Sequence, residues 1–173
     1  MDKKVIMAIG LLIALAVGIS SFLPEAVKPA AVGDKVRAFQ LPDLQGKRQG
    51  LPQGRVYLLN FWATWCPPCR KEVPSMVSLY EQLKDKGFDI IAVSVDRSRD
   101  DVINFVQEYH MSFTVLHDDN AQVSAQYGVF RYPETFIVDK NGVIRQHLNG
   151  AVDWEDQDFV RYIQSLLDEP ARK

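Results

Sequence analysis

The sequence predicts a mixed α/β sandwich, in which a central β-sheet with parallel and antiparallel strands is flanked by helices. Two short apolar runs rich in β-forming residues are each followed by a stretch of helical periodicity, which is typical of parallel β-α-β units. Further along the chain, Asp139-Lys140-Asn141-Gly142 separates two more apolar runs and predicts an antiparallel hairpin. A last amphipathic stretch predicts a helix that closes the fold.

The individual elements follow from local signals along the chain. Apolar residues at helical spacing indicate the first helix, which Gly87 ends. Asp100 and Asp101 begin the second helix, because acidic side chains are favourable at a helix N-terminus. Residues 33–51, rich in Gly, Pro and Gln, predict an additional N-terminal hairpin or extended segment. The predicted strands cover residues 56–62, 88–95, 113–116, 135–138 and 143–148, and the predicted helices residues 67–86, 100–109, 120–127 and 154–167.

Composition and charge narrow the functional classes. The 173 residues include 20 Lys and Arg against 22 Asp and Glu, a formal net charge of −2, with 47% hydrophobic and 24% charged residues. These values are ordinary for a globular protein and exclude disordered and collagen-like chains. Because positive charge is not in excess, nucleic acid is not an expected partner. Two cysteines and three scattered histidines cannot form a four-ligand metal site unaided.

The first 29 residues differ from the rest and predict a membrane anchor with a short tether. Lys3 and Lys4 precede an apolar run over residues 5–23, which as a helix would span about 28 Å, close to the ~30 Å hydrocarbon core of a bilayer. The two lysines predict that the N-terminus stays in the cytoplasm, so that residues 30–173, the predicted folded domain, are exported. Disulfides can form and persist in that compartment.

A cleaved signal peptide is the alternative to an uncleaved anchor. Signal h-regions run about 7–15 residues and end at an A-x-A-like site, whereas Ala14-Leu15-Ala16, the nearest such pattern, lies inside the apolar run. No cysteine follows the run, which excludes a lipoprotein anchor. The sequence therefore favours an uncleaved, single-pass anchor.

Both cysteines of the protein lie in Trp65-Cys66-Pro67-Pro68-Cys69, between the first buried strand and the first helix. A zinc half-site would need a second pair of ligands, and the chain has no other cysteine. A structural disulfide stabilises a protein less as the loop that it closes becomes shorter, so this closely spaced pair would contribute little stability. Two inert buried thiols are unexpected at the N-terminus of a helix, which is electropositive and usually exposed. A redox-active pair is the favoured interpretation.

Each residue type in this motif suits redox chemistry. Unpaired N–H groups and the helix dipole favour the thiolate of Cys66 over its thiol. Cys69, one turn into the helix, can attack a mixed disulfide formed at Cys66. Pro67 and Pro68 are tolerated in the first helical turn, and they remove two amide donors that would otherwise stabilise a thiolate. Because less stabilisation disfavours the reduced form, the prolines predict a reductant.

Three motifs in the right order resemble those of thioredoxin-like proteins. The segment Asn60-Phe61-Trp62-Ala63-Thr64-Trp65-Cys66-Pro67-Pro68-Cys69 resembles their active-site strand and turn. Pro74 matches their helix-kinking proline, and Tyr132-Pro133-Glu134-Thr135-Phe136 resembles the cis-proline loop that faces the cysteines. The resemblance covers most of residues 33–170 and implies a thioredoxin-like sandwich.

A lead-in segment ahead of the first buried strand resembles one branch of these proteins in particular. It is similar to the lead-in shared by the membrane-anchored TlpA/ResA/CcmG (DsbE) branch and by peroxiredoxins. Val36-Arg37 stands where that pattern usually has Ala-Pro. The matching positions are Phe39, Leu41, Asp43, Leu44 and Gly46.

One position departs from ordinary thioredoxins. Their buried acid on the active-site strand corresponds to Asn60, and an amide cannot shuttle protons. Glu72, three residues after Cys69 on a neighbouring helix face, matches the acidic residue of the ResA-like branch. Glu134, beside the predicted cis-proline, is a second candidate. The alternative for Glu72 is a solvated charge on the helix, and the alternative for Glu134 is a surface charge on a loop. The predicted site comprises Cys66, Cys69, Glu72, Pro133 and Glu134.

Other conspicuous residues are interpreted as structural. Met76, Phe105 and Trp154 occur at core spacing and are predicted to lie in the core. Asp118-Asp119 is interpreted as a helix-start feature rather than as half of a metal site.

The resemblance implies a membrane-tethered thiol–disulfide oxidoreductase that acts as a reductant on the periplasmic or extracytoplasmic side of the cytoplasmic membrane. It implies protein disulfides as substrates, notably the haem-attachment cysteines of apocytochromes c, and a membrane thiol-reductase of the CcdA or DsbD kind as electron donor. No cofactor beyond the two cysteines is needed. Two other classes stay open, a peroxiredoxin-like thiol peroxidase and a non-enzymatic thiol chaperone or metallochaperone. The Pro-x-x-x-Thr/Ser-x-x-Cys motif of a peroxiredoxin is missing from this sequence.

Overall fold

The computed structural model of the chain describes residues 28–171, in which the predicted buried strands form the middle of a five-stranded sheet. The strands are Leu41–Pro42 (β1), Arg48–Gln49 (β2), Val56–Trp62 (β3), Phe88–Ser94 (β4), Thr114–His117 (β5), Glu134–Val138 (β6) and Ile144–Asn149 (β7). The helices are Pro67–Leu83 (α1), Arg99–Glu108 (α2), Gln122–Tyr127 (α3) and Gln157–Asp168 (α4), and a 3-10 turn, Lys84–Lys86, follows α1.

The sheet has the order β5-β4-β3-β6-β7, so that β3 lies at its centre. Strand β3 pairs in parallel with β4, and β4 in parallel with β5, whereas β6 is antiparallel to both β3 and β7. All seven residues of β3 are buried, which explains why this strand has a continuous apolar run rather than an alternating one. The predicted mixed α/β architecture is confirmed.

Side chains from the two faces of the sheet form two core layers. On one face, Leu58, Ile90 and Ile137 pack with apolar residues of α1, α2 and α4. On the other face, Leu59 and Phe136 pack with α3 and with the N-terminal segment around Ala30. Because successive residues of a strand point to opposite faces, a polar residue of β3 or β6 can be assigned to one layer by its position alone.

The first helix begins directly after the central strand and carries the cysteine motif at its N-terminus. Cys66 is the N-cap residue, and the two prolines occupy the first positions of α1, where a missing N–H costs no intrahelical hydrogen bond. Helix α1 ends earlier than predicted, because the last three predicted residues form the 3-10 turn, which Gly87 closes in the left-handed conformation.

The last helix begins later than predicted. Apolar periodicity alone places its start at Trp154, but Asp156 caps the helix by accepting a hydrogen bond from Asp158 N at 2.8 Å. Trp154 therefore lies in the loop between β7 and α4, where its side chain is nonetheless fully buried, as are those of Met76 and Phe105. The predicted core positions are confirmed, although one of them is not helical.

The N-terminal part of the described chain forms the predicted hairpin and then a strap across the second core layer. Strands β1 and β2 pair antiparallel around a turn in which Asp43 Oδ1 accepts from Gln45 N and Lys47 N. Upstream, Ala30 N donates to Tyr127 O at 3.0 Å. Gly128, with a φ of +78°, passes so close to the strap that a Cβ there would lie 2.7 Å from Pro29 Cβ.

The predicted membrane anchor cannot be placed in this fold. The apolar run over residues 5–23 lies outside the described residues, so the anchor and the boundary after residue 29 stay predictions. Within residues 28–171, no helix is both long enough and apolar enough to cross a bilayer.

Candidate functional site

The two cysteines form a disulfide at the N-terminus of α1, at the carboxyl end of the central strand. Their Cα atoms are 5.3 Å apart, and Cys69 N donates a hydrogen bond to Cys66 Sγ at 3.3 Å. Pro67 and Pro68 have no amide N–H to offer. One backbone amide of the first turn therefore reaches the sulfur that sequence analysis assigns as the nucleophile.

The predicted cis-proline loop lies against this disulfide. The Tyr132–Pro133 peptide bond is cis, and Tyr132 O lies 3.4 Å from Cys66 Sγ. The Tyr132 ring also contacts Trp65 edge to face, with 6.0 Å between the ring centroids. The structure thus brings together Cys66, Cys69 and Pro133, which lie far apart in the sequence.

The disulfide itself is nearly covered, but its rim is apolar and exposed. Cys66 is 4% exposed and Cys69 is 1% exposed, so in the oxidised state exposure separates the two cysteines little. Trp65, directly before Cys66, is 64% exposed, and Phe130, three residues before the cis-proline, is 75% exposed. Large apolar side chains in this position are typical of a surface on which another protein docks.

The Glu72 side chain is buried on the disulfide-bearing helix and is not the solvated charge of the alternative interpretation. It is 3% exposed, and its Oε1 accepts a hydrogen bond from Trp154 Nε1 at 2.7 Å and a longer one, 3.4 Å, from Val152 N. Burial raises the pKa of Glu72 to about 7, against the opposing effect of these hydrogen bonds and of the polar Asn60 side chain. A carboxyl group with such a pKa can both take and return a proton near neutral pH.

Asn60 replaces the strand acid with a buried amide that is part of the same polar group. Its Nδ2 donates to Thr135 Oγ1 at 2.8 Å, and the Asn60 side chain also lowers the pKa of Glu72. Asn60 faces α1 because it alternates along β3 with Leu59 and Phe61, which belong to the other core layer. It can orient the carboxyl group of Glu72, but it cannot titrate.

Glu134 has a different environment. It is buried, and its Oε1 forms a close hydrogen bond with His147 Nε2 of the neighbouring strand β7. In β6 it alternates with Thr135, which faces Asn60, and shares its side of the sheet with Phe136. The structure therefore places the Glu134 carboxyl on the opposite sheet face from Asn60 and Glu72, and its catalytic role stays a prediction.

Two contributors to the site escape sequence analysis. Trp154 is predicted as core, and nothing in its spacing shows that its indole N–H points at a carboxylate. Asp96 is 3% exposed and holds the turn before Cys66, accepting from Thr64 N at 2.9 Å and from Thr64 Oγ1 at 2.6 Å. Its position directly after a buried strand is the one signal that could have found it.

No metal site accompanies the cysteines in the part of the chain that the structure describes, where no three His, Cys, Asp or Glu side chains cluster in a way that could hold an ion. Asp118 has the structural role predicted for it, because its Oδ2 accepts from Ser124 N in the first turn of α3. The two cysteines and the buried carboxyl group of Glu72 are the candidate reactive groups of this site.

Comparisons with known proteins agree with this chemistry. A family described as the AhpC/TSA family matches residues 32–147. The thiol-disulfide oxidoreductase ResA of Bacillus thuringiensis subsp. konkukian is 40% identical over 121 residues, covering 69% of this chain and 70% of the relative. ResA of Geobacillus kaustophilus is 33% identical over 172 residues, covering 95% of this chain and 97% of the relative. A crystal structure from Chlorobium tepidum, assigned as a thiol:disulfide interchange protein DsbE, superposes with a TM-score of 0.73 at 33% identity, over 79% of this chain and 98% of that one.

Proposed function

Because this chain belongs to the AhpC/TSA family and is a thiol–disulfide oxidoreductase of the ResA type with a thioredoxin-like fold, we propose that it reduces protein disulfides outside the cytoplasmic membrane. We propose the haem-attachment cysteines of apocytochromes c as its substrates and a membrane thiol-reductase of the CcdA or DsbD kind as its electron donor. The observation that carries the proposal is a Cys66–Cys69 disulfide at a helix N-terminus, faced by a cis-proline loop, with a buried carboxyl group on the same helix.

The direction of electron flow is argued from the first turn of α1. A couple is strongly oxidising when its reduced form is stabilised, and a thiolate at a helix N-terminus is stabilised by amide donors. Here Pro67 and Pro68 supply no N–H, and the amide of Cys69 is the one that reaches Cys66 Sγ. We therefore expect a reduction potential more negative than about −200 mV, in the range of glutaredoxins and thioredoxin rather than near the DsbA value of about −120 mV.

The test uses the reduced protein and an oxidised peptide that carries a Cys-x-x-Cys-His sequence. The Cys66–Cys69 dithiol should become a disulfide while the peptide disulfide becomes a dithiol, a two-electron exchange that mass spectrometry follows directly. A peptide with the same disulfide but no histidine is the matched control, and we expect it to react more slowly. Equal rates would contradict the proposed substrate, and a potential near −120 mV against glutathione would contradict the reductive direction.

The peroxidase alternative has one observation in its favour, because the lead-in segment and the matched family are shared with peroxiredoxins. However, Phe61-Trp62-Ala63-Thr64-Trp65-Cys66 lacks the proline of a peroxidatic cysteine setting, and an aromatic residue precedes the cysteine. Hydrogen peroxide consumption at a rate above that of a free dithiol would favour this alternative. Copper bound at one ion per chain without disulfide turnover would favour a metallochaperone.

We propose a single-pass anchor over residues 5–23, which would hold the site outside the cytoplasmic membrane. Full-length protein should stay in the membrane fraction after a high-salt wash, because a spanning apolar helix is not released by screening charges. The intact mass should correspond to a chain that begins at Met1 or Asp2. A soluble exported form beginning between about residues 20 and 32 would instead identify a cleaved signal peptide.

A further inference from the structure

The loop that joins β7 to α4 closes over the first turns of α1 at the buried carboxyl group. Trp154 N donates to Ser75 Oγ at 3.1 Å, and Ser75 Oγ in turn donates to Glu72 O at 2.8 Å. Ser78 Oγ donates to Glu155 Oε1 at 2.8 Å one turn further along. The loop is therefore bonded both to the backbone of the helix and to the Glu72 side chain.

The two oxygens of Glu72 are treated differently by this loop. Oε1 accepts the indole N–H of Trp154 at 2.7 Å and the amide of Val152 at 3.4 Å. A carboxylate oxygen has two lone-pair positions, so both positions of Oε1 are engaged. A proton that arrives at this carboxyl group is therefore expected on Oε2, which neither of these donors contacts.

We propose, on the basis of the proposed disulfide exchange, that Trp154 is a positioning residue of the redox site, which holds Glu72 Oε1 through its indole N–H and so reserves Oε2 for the proton that Cys69 exchanges. The indole is well suited to this task because it is fully buried and packs against Phe159, with 5.4 Å between the ring centroids. Its N–H therefore has a fixed direction. A flexible side chain would instead lose conformational entropy when it formed the hydrogen bond to Glu72.

The proton step balances with these two groups alone. As Cys69 attacks a mixed disulfide at Cys66, its S–H proton moves to Glu72 Oε2, and the carboxylate becomes a carboxylic acid. The new S–S bond forms as the bond to the substrate sulfur breaks, and that sulfur leaves as a thiolate. When the Cys66–Cys69 disulfide is reduced again, the carboxylic acid returns its proton to the Cys69 thiolate.

A cleft of about 370 Å³ connects the Glu72 region to solvent between α1 and the loop. Its charged lining groups are Lys71 from the helix and Asp153 and Glu155 from the loop. From the sheet, the described contacts of this region are those of the neutral Asn60 amide and the Thr135 hydroxyl. The nearest donor of a strong hydrogen bond to the carboxylate is therefore Trp154.

Replacing Trp154 by Phe removes the N–H and keeps an aromatic ring. Because a hydrogen bond from the indole favours the charged form of Glu72, its loss should raise the pKa of Glu72 by about one pH unit. At pH 7 the ionised fraction then falls from about half to about a tenth, so disulfide exchange should slow about five-fold. The difference should vanish near pH 9, because Glu72 is ionised there in both proteins.

Ser75→Ala is the matched control, since it removes the bond from the loop to the helix and leaves both donors on Glu72 Oε1. It should leave the pH profile of exchange in place. Carbon-13 NMR titration of the Glu72 carboxyl group in the disulfide form gives its pKa without any turnover, so this measurement separates the positioning role from the proposed substrate reduction.

The proposal would be overturned if the pKa of Glu72 were unchanged in Trp154→Phe. It would also be overturned if Ser75→Ala raised that pKa as much as Trp154→Phe does. If Trp154→Phe does not fold, benzothienylalanine at position 154 retains the shape of the indole and replaces its N–H by sulfur. That substitution should also raise the pKa of Glu72. A Glu72 titration curve identical to that of the unmodified protein would overturn the proposal.

Discussion

Cys69→Ser should accumulate a covalent complex with its substrate, and Cys66→Ser should lose disulfide exchange altogether. Cys66 is the N-cap of α1, and its sulfur receives the amide hydrogen bond of Cys69 and faces the cis-proline loop. Cys69 lies inside the first turn of α1 rather than at its end, and none of the described hydrogen bonds joins its sulfur to the cis-proline loop. The substrate disulfide is therefore expected to form its mixed disulfide with Cys66.

The size of the effect follows from the chemistry of exchange. The thiolate is the nucleophile, and a serine hydroxyl at position 66 is not ionised at neutral pH, so turnover should fall to background. Without Cys69, the mixed disulfide at Cys66 has no resolving thiol and should persist. Non-reducing electrophoresis with the oxidised Cys-x-x-Cys-His peptide fused to a carrier protein would detect the complex, and added dithiothreitol should release it.

The double substitution of both cysteines by serine is the control, because it should form no complex and should consume no disulfide. Trapping by Cys66→Ser, with none by Cys69→Ser, would reverse the roles of the two cysteines. Trapping by both variants to the same extent would mean that the buried position of Cys69 does not protect it.

Glu72→Gln is expected to slow disulfide exchange at pH 7 by about ten-fold or more. A thiol with the ordinary pKa of about 8.5 is only a few per cent ionised at neutral pH, so a nearby base should speed the attack of Cys69. Glutamine retains an oxygen for the indole N–H of Trp154, and it removes the titration. The acid limb that Glu72 contributes to the pH–rate profile near pH 7 should disappear with it.

The same variant should change how stability depends on pH. Burial raises the pKa of Glu72 from 4.5 to about 7, so the folded protein retains a proton that the unfolded chain loses within this range. The free energy of unfolding should therefore fall as pH rises from about 4.5 to 7, by up to about 3 kcal/mol from this group, and then level off. Chemical denaturation of the oxidised protein should show this loss, and Glu72→Gln should lack it.

Glu155→Gln is the matched control, because Glu155 lines the same cleft but is exposed. It should alter neither the rate of disulfide exchange nor the pH dependence of the free energy of unfolding. A wild-type rate and pH profile in Glu72→Gln would reject the role of Glu72 as the base, and would make Glu134 with its partner His147 the next group to test.

Most of the architecture and the position of the cysteine pair can be predicted from the amino-acid sequence. Continuous apolar runs marked β3 and β4, Asp139-Lys140-Asn141-Gly142 marked the hairpin, and the spacing of Cys66 and Cys69 placed both sulfurs at a helix start. These signals are local, since strand burial, turn chemistry and helix capping depend on residues that are close together in the chain.

Which polar groups share an environment depends on the folded arrangement of distant segments. Glu72 and Trp154 are 82 residues apart, yet their hydrogen bond depends on the β7–α4 loop closing over α1. The sequence makes Glu72 the first candidate and Glu134 the second, and the alternation of side chains along β6 directs Glu134 to His147 on the far face of the sheet. The pKa of a carboxyl group depends on burial and on partners brought together by folding, and periodicity along the chain contains no information about either.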